Sequence, residues 1–297
     1  RSSFFGFLVN SQIYRSLMAL FLFLQNLRHI TPGTAVLDRL RLQSDRAGGS
    51  IGAHDEPGGQ DDSAEGLETS MNSEEYCEMV EQQHHLLMQR IPTMPIRDDG
   101  SELISLLDSG FDLVFEPSIM KDYRYLVRSA VYDKIGRISR LLSDMNRRLI
   151  IRSVWRSFDH QQLLWVRNLE VARIQNPEKS PDEVERIALE FTAPREKSMH
   201  STGGAVDALI YDLENNCVMD FGTNSGFKID LNRKCYPLHP DISPEARKNR
   251  KILMELFENE GLVCDLTEYW HFDYGNVMWA LNQGRDHSIY GVVGESG

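Results

Sequence analysis

The stretch Lys197-Ser198-Met199-His200-Ser201-Thr202-Gly203-Gly204-Ala205-Val206-Asp207-Ala208-Leu209-Ile210-Tyr211-Asp212 constrains this chain more than any other. Its second half is a short apolar run of the kind that forms a buried strand. Two glycines lead into it. One carboxylate, Asp207, stands at the start of the run, seven residues after His200. A carboxylate removed from water needs a positive partner. Whatever fold the chain adopts has to bring one to Asp207.

The chain has 297 residues, 41% of them hydrophobic, which supports a real core in one large domain or two small ones. Its formal net charge of −12 argues against a surface for nucleic acid or anionic lipid. No nucleic-acid partner is expected; small zwitterions and peptides remain open as partners. The four cysteines, Cys77, Cys217, Cys235 and Cys264, contain no C-x-x-C pair and read as free thiols, which leaves little support for a zinc finger. No segment reaches the ~20 apolar residues of a membrane helix, so stable membrane insertion is not expected. Residues 1–43 carry five arginines, no lysine and a single acid. They read either as a targeting segment or as an extension outside the fold. A cytoplasmic location is the expectation, with export or organelle targeting through this segment as the alternative. The sequence sets no oligomeric state.

Residues 44–70 are rich in Gly, Ser, Asp and Glu and read as a disordered acidic linker. The expected division is therefore an N-terminal extension over 1–72 and one folded domain over 73–297. Asn72, with Glu75 three residues on, predicts a capped helix reaching Arg90, before Pro92 and Pro95. Phe111–Phe115 and Leu149–Val154 read as strands, and Ile119–Met145 reads as one long helix. Ser180-Pro181-Asp182-Glu183 and Ser243-Pro244-Glu245-Ala246 start two more helices, the second ending at Gly261. Short strands are expected over 205–211 and 269–274. Helices and strands intermix, so the fold class is α+β.

A second polar cluster, Thr267-Glu268-Tyr269-Trp270-His271-Phe272, lies about sixty residues after the first. Residues three apart in a strand point to opposite faces. Glu268 and His271 converge only if the backbone bends there or if Glu268 precedes the strand. His200, Asp207 and His271 together make two imidazoles and one carboxylate, a three-ligand set for zinc with a fourth position left for water. Glu268, as a carboxylate outside that set, would then be a general base. On spacing alone the alternatives stand beside this reading: a core histidine bonded to a carbonyl, a strand-entry aspartate and a solvated glutamate. His84 and His85 face different directions on a helix, and His160, His239 and His287 read as structural.

The segment Ser198–Asp207 resembles the S-x-H-x-x-G-x-A-x-D motif of the zinc D-alanyl-D-alanine dipeptidases, and Glu268-Tyr269-Trp270-His271 resembles their E-x-W-H motif. Phe221-Gly222-Thr223 and Asn249-Arg250 are similar to the family as well, and the resemblance runs from about Phe111 to Tyr274. It implies a small antiparallel sheet flanked by helices, the D-Ala-D-Ala metallopeptidase fold of hedgehog- and carboxypeptidase-like proteins. It implies one Zn2+ per chain on His200, Asp207 and His271, water on the zinc as nucleophile, Glu268 as general base, Arg156 as oxyanion stabiliser and Ser198 against the bound dipeptide. The implied reaction is hydrolysis of D-Ala-D-Ala to two D-alanines. The alternatives are a D,D-carboxypeptidase or broader peptidase of cell-wall peptides, and a non-catalytic zinc-stabilised binding module. Two departures stand out. Ser157 replaces the family's proline after the arginine, which predicts a looser turn around Arg156. No acid occupies the matching place in Asn224-Ser225-Gly226-Phe227-Lys228, Asp230 being displaced.

Overall fold

A computed structural model describes residues 72–189, 192–193, 197–223 and 233–294. From Asn72 onward the chain forms one compact unit. The N-terminal extension with its targeting and linker readings, and the Asn224–Asp230 departure, lie outside the described residues. Among the described residues, no helix is long and apolar enough to cross a membrane. The architecture is α+β, as expected.

Helix α1 (Ser73–Arg90) begins with the anticipated reciprocal cap: the Asn72 side chain accepts from the Glu75 amide, and the Glu75 carboxylate accepts from the Asn72 amide. Strand β1 (Leu103–Ser105) and strand β2 (Leu113–Phe115) follow. The expected long helix over 119–145 is not one element. Leu126–Arg128 form strand β3, antiparallel to β1, and helix α2 runs only from Ser129 to Asp144. Leu126 and Ala130 share helical spacing, but Leu126–Arg128 are buried as a strand whose register tertiary pairing sets. Tyr125, just before it, takes a positive φ of 49° that no helix continues through.

Strand β4 (Arg147–Ser153), helix α3 (Phe158–Gln175) and helix α4 (Pro181–Leu189) come next. A 3-10 turn (Met199–Thr202) leads into strand β5 (Ala205–Asp212) and strand β6 (Cys217–Val218). Helix α5 (Pro244–Glu258) is capped by Ser243. The turn that stops it closes at Gly261, at φ 78°, where the Leu262 amide reaches back to the Phe257 carbonyl and the Gly261 amide to that of Glu258. Strand β7 (Val263–Cys264), strand β8 (His271–Asp273) and helix α6 (Val277–Asn282) complete the unit.

Six strands form one sheet in the order β2-β4-β5-β8-β7, with β6 beside β5. Its pairs are antiparallel except β2–β4, which is parallel. Val131, Ile135, Ile138 and Leu142 of α2 join one continuous core with Leu149 and Ile151 of β4 and Val206, Ala208 and Ile210 of β5. Each such aliphatic burial contributes roughly 1.5–3 kcal/mol. Phe257 of α5 stacks on Phe272 of β8, ring centroids 4.0 Å apart. Helix α2 thus packs against β4 and β5 and helix α5 against β8, so side chains at the ends of these strands are carried on a packed backbone. Cys77, Cys217, Cys235 and Cys264 form no disulfide with one another.

Candidate metal and catalytic site

Asp207 of β5 lies directly opposite His271 of β8 in the antiparallel register, which sets their side chains beside each other. On its other flank it faces Ser153, across a bulge between Ile151 and Ser153. Without that extra residue Arg152 would stand opposite Asp207. With it, Arg152 turns away to pair with Glu116 at 2.7 Å, while Arg156 reaches Asp207 Oδ2 with Nη2 at 2.7 Å. Bulges beside active sites commonly re-aim a side chain in this way.

His200 arrives from the 3-10 turn. Gly203 closes that turn at φ 75°, and a Cβ on Gly204 would sit 2.2 Å from the Tyr274 carbonyl. Both glycines are therefore required for a chain that turns sharply and enters a central strand with no spare residue. Two bonds clasp this turn to the segment after β4: the Arg156 amide donates to the His200 carbonyl at 3.4 Å, and Ser201 Oγ donates to the Arg156 carbonyl at 3.1 Å.

The three expected ligand residues converge. His200, Asp207 and His271 are buried, and one ligand atom from each lies within 4.8 Å of the others. His200 Nδ1 is 2.8 Å from the Val154 carbonyl, an acceptor only, so Nδ1 carries the proton. Burial, and then Arg156, push the His200 pKa down to about 4, which keeps the ring neutral near pH 7. Its Nε2 is then a bare lone pair facing Asp207 Oδ2 at 3.3 Å. Acceptor against acceptor in a buried place calls for a cation between them. A divalent metal ion fits that need and this donor set of two imidazoles and a carboxylate.

His271 differs. Its Nδ1 is 2.9 Å from Asp207 Oδ1 and its Nε2 is 3.2 Å from Asp273 Oδ1. Burial opposes its charge, but Asp273 and then Asp207 outweigh burial and hold its pKa well above the ordinary value. Asp207 itself is held well below the carboxylate range: burial works against ionisation, and His200, His271 and Arg156 overcome it. Asp273 was not singled out from the sequence. The available signal was a second carboxylate two residues after His271, on the same face of a strand whose three residues are all buried.

Glu268 precedes β8. A tight turn, with the His271 amide on the Glu268 carbonyl at 3.0 Å, puts Glu268 before the strand, so the alternation of a strand does not apply to this pair. Burial, and then the Asp207 charge, push its pKa up to about 8. Arg156 is further held by Ser153 Oγ at 2.7 Å and Gln161 Oε1 at 3.3 Å. The looseness expected from losing the proline is not what the geometry has: Ser157 caps α3, accepting from the His160 amide, and three acceptors aim Arg156. Ser198 is buried at the start of the 3-10 turn, two residues before His200.

Residues 116–288 match the Peptidase M15 family model, described as D-ala-D-ala dipeptidase. The chain belongs to this family. Among curated relatives of this D-Ala-D-Ala dipeptidase family, the D-alanyl-D-alanine dipeptidase of Escherichia coli (strain K12) is 33% identical over 76 residues, 26% of this chain and 37% of the relative. That of Enterococcus faecium is 29% identical over 91 residues, 31% of this chain and 43% of the relative. The chain thus spans less than half the length of these relatives in the matched stretches. Among solved structures, the LdcB LD-carboxypeptidase aligns with a TM-score of 0.36 at 18% identity, covering 65% of this chain and 76% of that one. The vancomycin-resistance D,D-pentapeptidase VanY, in complex with Zn(II), aligns at 0.37 and 15%, covering 64% and 90%.

Proposed function

We propose that this chain is a zinc-dependent peptidase that hydrolyses D-alanyl-D-alanine to two D-alanines. The observation that carries this reading is the convergence of His200 Nε2, the Asp207 carboxylate and His271 Nδ1 within one family of D-Ala-D-Ala dipeptidases. These three residues would hold one zinc ion per chain. Zinc bound there supplies a Lewis acid and draws the pKa of a water toward ~7.

The chain's own residues do the rest. Glu268 stands outside the ligand set, its pKa raised by burial and by the Asp207 charge; a cation held by Asp207 would offset that charge and favour the carboxylate, the form that takes a proton from the attacking water and returns it to the leaving amine. Arg156, fixed by three acceptors, sets a permanent positive charge beside the place where the scissile carbonyl oxygen becomes an oxyanion. Ser198 would contact the bound dipeptide from the start of the His200 turn. A purely structural zinc site closes four protein ligands. Among the described residues this one offers three, with the Glu268 carboxyl nearby but outside the set, and that favours an enzyme over a binding module.

The test is direct. The full chain, with its zinc content measured, is incubated with D-Ala-D-Ala and free D-alanine is followed. Release that stops with chelator and returns with zinc is expected; zinc-loaded protein that leaves the dipeptide intact sinks the substrate assignment. Glu268→Gln is expected to lose ~10²–10⁴ in turnover while retaining zinc. Near-normal turnover in that variant would remove Glu268 from the role of base.

A further inference from the structure

Asp273 is a buried carboxylate that this mechanism leaves without a task. It is 1% exposed, and among the described residues no lysine or arginine pairs with it. Its Oδ1 lies 3.2 Å from His271 Nε2 and accepts a hydrogen bond from Asn276 Nδ2. Asn276 is fully buried too, and its Oδ1 is occupied by the Trp279 amide at the start of α6, so its amide group has one orientation. The backbone of Asp273 is paired with Ala205 on one side and Val263 on the other. Asp273 is thus held at both its main chain and its side chain, with an oxygen against the far nitrogen of His271.

We propose that Asp273 is the positioning residue for His271: it accepts a hydrogen bond from Nε2–H, which leaves Nδ1, beside Asp207 Oδ1, bare as the metal-binding atom. The inference rests on the metal-site reading above. A neutral imidazole carries one N–H. With that proton on Nδ1, a bare Nε2 would face the Asp273 carboxylate, acceptor against acceptor, inside the protein. With it on Nε2, Asp273 is satisfied, and the bare Nδ1 faces Asp207 Oδ1 at 2.9 Å, two acceptors that a metal ion would bridge as it would His200 Nε2 and Asp207 Oδ2. A carboxylate in this outer position both selects the tautomer and strengthens the ring as a donor. His200 has the weaker, neutral version of the same device, the Val154 carbonyl at Nδ1. The two imidazoles therefore present opposite nitrogens, Nε2 from His200 and Nδ1 from His271, each chosen by what stands behind it.

The experiment uses the full 297-residue chain, wild type and Asp273→Asn. Zinc affinity is measured by competition with a chromophoric chelator, and the melting temperature of the metal-free forms is recorded alongside. Asp273→Asn is expected to bind zinc ~10–100-fold more weakly, with Asp273→Glu recovering part of the loss. A lower melting temperature with unchanged zinc affinity would make Asp273 merely structural and overturn the proposal, while leaving the metal site standing. A wild type that binds no zinc would overturn both. Nitrogen-15 NMR of histidine side chains in the zinc-loaded wild type tests the same point without any variant. A proton on His271 Nε2 is expected; a proton on Nδ1 ends the idea.

Discussion

Arg156 and Arg250 both carry a positive charge into the interior beside the candidate site, and they are held in opposite ways. Arg156 sits on a partly open end of the sheet, with a carboxylate, a hydroxyl and a side-chain amide as its acceptors. Arg250, in the middle of α5, has no exposed surface and donates to four main-chain carbonyls, those of Phe221, Lys234, Tyr236 and Pro237. Its guanidinium also lies 3.9 Å over the Tyr269 ring. A charge whose acceptors are backbone carbonyls organises loops; a charge shared with a titratable side chain is available to chemistry. Arg250 nonetheless serves the site at one remove. The loop it ties down carries the Cys235 carbonyl, which accepts from the Tyr269 amide next to Glu268.

The comparison breaks most visibly at Arg250. Removing its side chain leaves four carbonyls without their donor, and each unsatisfied group costs ~1–3 kcal/mol. Arg250→Ala is expected to lose roughly 4 kcal/mol or more, a fall of about 10 °C in melting temperature for a unit of this size. The fraction that remains folded should still bind zinc. A stable, inactive Arg250→Ala protein would mean that the clamp acts on chemistry, and the contrast between the two arginines would fail. Arg156→Ala should show the reverse pattern: ~10²–10³ lost from turnover, zinc retained, and a smaller change in the melting temperature of the loaded protein. Equal losses of stability in the two variants would erase the distinction.

The same contrast explains what could be read from the sequence. The His200–Asp207 spacing was legible because a turn, two glycines and a strand entry leave a single way to connect those residues. The convergence of Glu268 and His271 followed once the strand was allowed to begin after Glu268. Asn249-Arg250 was visible as a motif, but its task was not, since the four carbonyls come from segments whose arrangement only the fold supplies. The bulge that exchanges Arg152 for Arg156 arises from pairing between β4 and β5 and leaves no mark in either strand's composition. Strand β3 was hidden because Leu126 continues the helical spacing of Ala130, and pairing with β1 outweighed that local pattern. Asp273 was overlooked because H-x-D in a short strand reads as an ordinary half-exposed edge until all three residues are seen to be buried.

Acid sharpens the comparison further, because the Arg156 side contains a buried histidine whose charging opposes the fold. Burial, and then Arg156 and His200, push the His160 pKa down to about 3 from an ordinary value of 6.5. The unfolded chain therefore binds this proton more readily than the native one. The contribution to stability is complete above pH ~6.5 and is lost as pH falls toward 3. Hydrogen exchange between pH 7 and 4 should show α3 and the Arg156 turn loosening before α5 and the Arg250 loops. His160→Gln should flatten the pH dependence of stability in that window. An unchanged slope in the variant would move the acid sensitivity elsewhere.

The smallest effect is the one that separates aiming from capping at Ser157. Its Oγ accepts the His160 amide at 3.2 Å, and the first turn of α3 depends on that acceptor. Arg156, by contrast, is oriented by Ser153, Gln161 and Asp207, none of which touches the Ser157 hydroxyl. Ser157→Ala should therefore cost about 1 kcal/mol of stability and lower the melting temperature by roughly 2–4 °C. Turnover at a temperature where the variant is fully folded should stay within about twofold of wild type, since an intact orienting set preserves the geometry of the charge. A loss approaching that of Arg156→Ala would show the opposite: that the residue after the arginine, whether proline or serine, sets where the guanidinium points, and that the three acceptors merely follow.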